Sequence, residues 1–161
     1  MRKTLLIAAT AAGAALMGAS VAFAGGDLSG QDPIEVRIDL GQDDTEQHRF
    51  HPDTLTFETG KLYKLVIHNP SNSKHYFMST GLASSVYTRK VQVMDDIGDD
   101  RKAISEIKGS IREIEVVPGG TSEWWFVPVA AGTFTDLHCH IKEKDGETHA
   151  QKGMTGTIVI N

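Results

Sequence analysis

The sequence predicts an all-β protein, an antiparallel sandwich or barrel, and three observations carry that reading. Short runs alternate apolar and polar side chains with a period of two, as a strand with one face on a core requires; Ile34-Glu-Val-Arg-Ile-Asp-Leu40 does so without a fault, and Ile111-Arg-Glu-Ile-Glu-Val-Val117 repeats the pattern. Turn signals separate such runs: Thr59-Gly60, Asn69-Pro70, Pro118-Gly-Gly120 and Ala131-Gly132. Runs and turns follow each other at regular spacing, with no internal repeat and no low-complexity linker.

In chain order, Met1-Arg-Lys is a basic start, Thr4 to Met17 is rich in Leu, Ile and Ala, and Ala22-Phe-Ala24 has the small-x-small form that precedes cleavage. Residues 1–24 are expected to be a signal peptide. Their apolar core is shorter than the roughly 20 residues a bilayer span needs, and no later stretch qualifies. Residues 25–33 read as a flexible arm and 34–161 as one folded domain. After Ile34–Leu40, the polar stretch 41–48 is turn-like. Phe50 to Phe57 is expected to be a second short strand entered through Pro52, and Lys61 to Ile67 is the most strand-like run. Asn69-Pro70 ends it, which puts His75 in the following loop or at the start of the next strand. Residues 81–109 read as an insertion. Their middle, Asp95 to Lys102, is too polar and Gly-broken for a core strand, while Ala103 to Ile107 suits a helical turn or a strand edge. Glu123 to Val127, Thr133 to His140 and Thr157 to Ile160 complete the expected strands.

Export, with the periplasm as the expected compartment, would expose the chain to oxidising conditions, where a disulfide framework needs an even number of cysteines. There is one, Cys139. A single thiol that persists there is buried or metal-bound, and its His-rich surroundings favour metal. The net charge of −5 becomes −7 without Arg2 and Lys3, which gives nucleic-acid binding no electrostatic support.

The chemistry gathers in a late segment that holds Cys139, His149 and Met154, with nine residues between the first two and four between the last two. A thiolate, a neutral imidazole and a thioether suit a soft, redox-active metal with a weak axial ligand, and copper fits that set. A second imidazole must come from elsewhere, and His75, just past a hydrophobic run, is the best candidate. If Thr133 to His140 is one strand, its period of two puts Thr135, Leu137 and Cys139 on one face, and Phe134, Asp136, His138 and His140 on the other.

In order and residue type, His75 followed by Cys139, His149 and Met154 resembles the cupredoxins, the type 1 copper proteins such as those like plastocyanin and azurin. The resemblance runs from about Ile34 to Asn161, with Gly156 and Thr157-Ile-Val-Ile160 matching the family's Met-x-Gly lead into a last strand. The Cys-to-His interval is similar to that of the type 1 domain of copper nitrite reductases. The resemblance implies a cupredoxin-like Greek-key β-sandwich or barrel with an insertion around 81–109. It also implies one type 1 copper per chain and single-electron transfer with redox protein partners. Tyr76 follows His75 where several small cupredoxins have an Asn that braces the loop, so the resemblance does not identify the brace here.

His138 and His140 have two readings: solvated residues on the outer strand face, or an electron route or second copper site. A His-Cys-His run resembles that of multicopper oxidases, whose flanking histidines lead to further coppers, and nitrite reductases have a His before the Cys. Such enzymes draw ligands from other domains or subunits, so catalysis would need an oligomer to complete the site, and the expectation is a non-enzyme. Copper tolerance or delivery among copper-handling proteins is the alternative function. His48, His51 and His68 are left outside the expected site, and the charged loop from Lys142 to Lys152 offers a partner a polar rim.

Overall fold

The computed structural model describes residues 27–42, 47–95 and 102–161, so the expected signal peptide lies outside the described residues. The chain forms β1 (Ile34–Leu40), β2 (Phe50–His51), β3 (Thr54–Phe57), β4 (Tyr63–His68), β5 (His75–Met78), α1 (Thr80–Ser85), β6 (Val86–Asp95), β7 (Lys102–Ile107), β8 (Glu113–Val116), β9 (Thr121–Pro128), β10 (Gly132–His138) and β11 (Thr155–Ile160). Two sheets result, in the strand orders β2-β1-β4-β9-β6-β7 and β3-β11-β10-β5-β8.

Alternation in the strands supplies the core between these sheets. Ile38, Leu40, Leu65, Ile67, Trp124 and Phe126 come from one; Leu55, Phe57, Phe77, Leu137, Ile158 and Ile160 come from the other, all buried in one cluster. Trp124 sits edge-on to Phe77 of the opposite sheet, ring centres 6.3 Å apart. Burying each such side chain contributes about 1.5–3 kcal/mol before entropy is counted. Cys139 and Met154 belong to the same cluster, so the candidate ligands are set into the core rather than hung on its surface.

The sheets are mixed rather than purely antiparallel. β1 runs parallel to β4, and β3 parallel to β11. The reason lies at Pro52. The expected strand Phe50–Phe57 divides there, because proline has no N–H for the ladder. β2 stays with β1 in one sheet while β3 crosses to β11 in the other. The segment 81–109 also gives more to the framework than its sequence pattern promised. β6 lies inside its sheet, paired with β9 and β7, whereas β7 is an exposed edge strand. A register shift between Thr88 and Lys90 breaks the alternation of β6, which is why no strand was legible there. Asp27–Gln31, part of the expected flexible arm, forms a 3-10 turn capped by Asp27, with the Gln31 amide donating to the Gly60 carbonyl at 2.8 Å.

Candidate metal centre

His75 opens β5, opposite Val116 of β8, and is fully buried. Its orientation follows from the loop before it. The Asn69 side-chain amide donates to the carbonyls of Ser73 (2.7 Å) and Val116 (2.8 Å), so its Oδ1 is turned toward Ser71 as an acceptor. Ser71 donates its hydroxyl to that oxygen at 2.7 Å and has no second proton to give. At 2.9 Å, Ser71 Oγ is placed to accept the Nε2–H of His75, the tautomer that leaves the lone pair of His75 Nδ1 facing the site. Asn69 is the brace of this loop, in place of a residue directly after the histidine.

Cys139 follows β10 and is also fully buried. The expected two-faced pattern holds for Leu137 and Cys139, which are buried, but not for Thr135, which is exposed. The cause is an irregularity in the β10–β11 register between Phe134 and Leu137. Asp136 fills the bulge by accepting from Ser79 Oγ (2.6 Å) and the Gly81 amide (2.8 Å). Beyond the strand, backbone bonds close the ligand loop on itself. Cys139 N donates to Met154 O, Ala150 N to Cys139 O, His149 N to Ile141 O and Met154 N to His149 O. At Gly156 a Cβ would lie 2.6 Å from the Asp53 carbonyl oxygen and 2.8 Å from Leu137 Cδ2, so only glycine lets the returning chain close against β3 and β10.

Three donor atoms converge. His75 Nδ1 and His149 Nδ1 are 3.1 Å apart, and Cys139 Sγ lies 3.4 Å from His149 Nδ1 and 4.0 Å from His75 Nδ1. Met154 is buried beside them and bonded through its backbone to both Cys139 and His149. Burial pushes the His75 imidazole down to about 4, with His149 and His48 adding to the effect. The His149 imidazole is lowered chiefly by burial and then by His48, and burial raises the Cys139 thiol. At neutral pH both imidazoles are thus uncharged and ready to ligate, and the thiol would lose its proton to a metal. The Tyr76 amide donates to Cys139 Sγ at 3.3 Å, the kind of contact that tunes a metal-bound sulfur. Two imidazoles, a thiolate and a thioether in a buried pocket form a site that could bind one type 1 copper.

His138 and His140 are not brought to these atoms. The His138 Nδ1–H donates to the Asp136 carbonyl at 2.6 Å, and His140 stacks on Tyr76 with ring centres 4.4 Å apart. Among the described residues neither belongs to a group of three or more metal-donor side chains. His48, left out of the expected site, is not among the converging donors but lies against one of them. Its ring lies 4.3 Å from that of His149, and its Nε2 is 2.9 Å from Glu143 Oε1. Nothing in the polar stretch around His48 marked this contact, since its partners, Glu143 and His149, lie far along the chain.

No protein-family model matches the sequence, and no curated protein matches it. Solved structures do. A multicopper oxidase from Campylobacter jejuni, described as a metallo-oxidase, aligns over 81% of this chain with a TM-score of 0.56 at 16% identity, and a multicopper oxidase from Pediococcus acidilactici gives 0.53 at 16%. This chain covers 30% and 27% of those proteins, so it spans about a third or less of their length. Auracyanin A, a blue copper protein from Chloroflexus aurantiacus, aligns over 81% of this chain and 100% of its own, with a TM-score of 0.46 at 16% identity. The shared architecture is the cupredoxin β-sandwich.

Proposed function

We propose that this chain is an exported, periplasmic electron carrier that holds one type 1 copper through His75, Cys139, His149 and Met154. The observation that carries the reading is the convergence of His75 Nδ1, His149 Nδ1 and Cys139 Sγ within 4.0 Å in a pocket closed to solvent. Copper bound there would supply reversible one-electron chemistry between Cu(II) and Cu(I). The chain's own residues supply the rest. Asn69 and Ser71 hold His75 in one orientation, the loop's backbone bonds hold His149 and Met154 against Cys139, and the Tyr76 amide withdraws charge from the sulfur. A frame this constrained changes little between redox states, which keeps the reorganisation cost of electron transfer low.

His140 and Tyr76 lie stacked on the outside of β10 and β5, one residue from Cys139 and from His75 respectively, and offer a redox partner a short route to the sulfur. Copper handling with incidental redox turnover is the second reading; the charged rim of Glu143, Asp145 and Lys152 beside the site supports it. The axial role of Met154 gives the test. Met154→Gln should lower the copper potential and Met154→Leu should raise it, measured by protein-film voltammetry. Three equal potentials would remove Met154 from the ligand set.

A further inference from the structure

The four residues assigned to copper are closed off from water: His75, Cys139 and Met154 are 0% exposed and His149 is 2% exposed. The outward edge of His149 meets a second group of donors. Its Nε2 lies 3.5 Å from Glu143 Oε1, which is 2.9 Å from His48 Nε2, and one donor atom from each of the three residues lies within 4.8 Å of the others. Side-chain exposure rises outward, from 3% at His149 through 21% at His48 to 35% at Glu143. Lys152 holds the other carboxylate oxygen, Oε2, and leaves Oε1 turned to the two imidazoles.

The outer ring nitrogens of both histidines face this one carboxylate oxygen. His48 Nε2 is 2.9 Å from Glu143 Oε1 yet is buried and not aligned to hydrogen-bond with it, and His149 Nε2 lies at 3.5 Å, the outer limit of such a bond. In the tautomer that carries its proton on Nδ1, toward His75 Nδ1 at 3.1 Å, His149 offers the Nε2 lone pair to this group. A cation between the three groups satisfies them all.

We propose that Glu143 Oε1, His48 Nε2 and His149 Nε2 form an outer site that captures hydrated Cu(II) and passes it to the buried centre. The proposal rests on the assignment of the inner centre to copper. Two imidazoles and a carboxylate are a donor set that favours Cu(II) among the divalent first-row ions, and the exposed carboxylate is the group a hydrated ion meets first. His149 belongs to both sites through opposite ring nitrogens. Transfer breaks the bonds to Glu143, His48 and His149 Nε2 and makes bonds to His149 Nδ1, His75 Nδ1 and Cys139 Sγ. The His149 ring proton moves from Nδ1 to Nε2 by way of water, and the Cys139 thiol proton leaves to solvent. One Cu(II) enters, one proton departs and no electron moves.

The test is stopped-flow mixing of the metal-free protein with copper(II) sulfate in a non-coordinating buffer, following the thiolate-to-copper band in the visible. His48→Phe keeps a ring against His149 without its nitrogens, and Glu143→Gln keeps an oxygen that can accept from His149 without the charge. Both should slow the appearance of colour about tenfold or more while reaching the wild-type band position and intensity. Wild-type rates in both variants would overturn the capture site. So would slower colour ending in a shifted band, which would make the two residues positioning groups for His149. Absence of colour in the wild type would instead remove the copper centre itself, a result distinct from either.

Discussion

The two histidines at the centre are held by opposite means. On the His75 side the supports are neutral and buried: Asn69 at 0% exposure, Ser71 at 5%, and the carbonyls of Ser73 and Val116, all belonging to the sheet or to the loop leaving it. On the His149 side they are charged and open, with Glu143 and Asp145 both on the Lys152 ammonium and His48 against the ring. A buried hydrogen-bond network fixes one histidine as part of the fold, whereas an ion network open to water surrounds the other.

Substitutions on the two sides should therefore differ in kind. Asn69→Ala has the largest expected effect on stability, because it takes the partner from the Val116 carbonyl and the Ser71 amide in a buried loop; the cost should be about 3 kcal/mol in urea unfolding of the metal-free protein. A loss below about 1 kcal/mol would mean that the network is not what holds the loop.

Acid should distinguish the sides next. His75 in the folded state resists protonation down to about 4 instead of its ordinary 6.5, so the unfolded chain binds more protons than the folded one across that interval. Metal-free protein should be fully stable on this account above pH 6.5 and lose stability as pH falls toward 4, and His75→Asn should remove much of that slope. Glu143 and Asp145 are also lowered, but by charge rather than burial: Lys152 chiefly holds them below their ordinary 4.5 and 3.8. Their contribution is present above those values and is lost only as pH falls further, through the lowered range. A chemical-denaturation series against pH, with and without His75→Asn, would show both windows; an identical slope in the two proteins would contradict the first.

The smallest effect should come from Lys152→Met. Exposed ion pairs contribute little to folding and are screened by salt, so the thermal midpoint should barely move, and less so at high ionic strength. A large drop would show that the charged side carries the fold as the buried side does.

How much of this was readable from residues alone also divides along the same line. Strands with unbroken alternation, such as β1 and β8, could be read directly, since burial of one face dictates the pattern, and β4 was legible from its apolar run Leu65-Val-Ile67. The four residues of the candidate copper site were legible from residue type and order, and the structure brings them together. Strands whose alternation is broken were not legible: β6 has a register shift at Thr88–Lys90, and the bulge in β10 sends Thr135 to solvent. Neither leaves a local signature, because each is set by the partner strand. The same holds for His48 and Asn69, whose roles are long-range contacts to Glu143 and Val116. An Asn before Pro reads as a turn, and only its burial shows it to be a brace.

The central claim is that Cys139 binds copper through its sulfur, with one such ion per chain. The direct measurement is the visible spectrum of copper-loaded protein with a metal count, on the wild type and on Cys139→Ser. The wild type should show an intense thiolate-to-copper band, and Cys139→Ser should lose it entirely. Colour that survives the serine substitution, or a wild type that binds only zinc, would contradict the assignment.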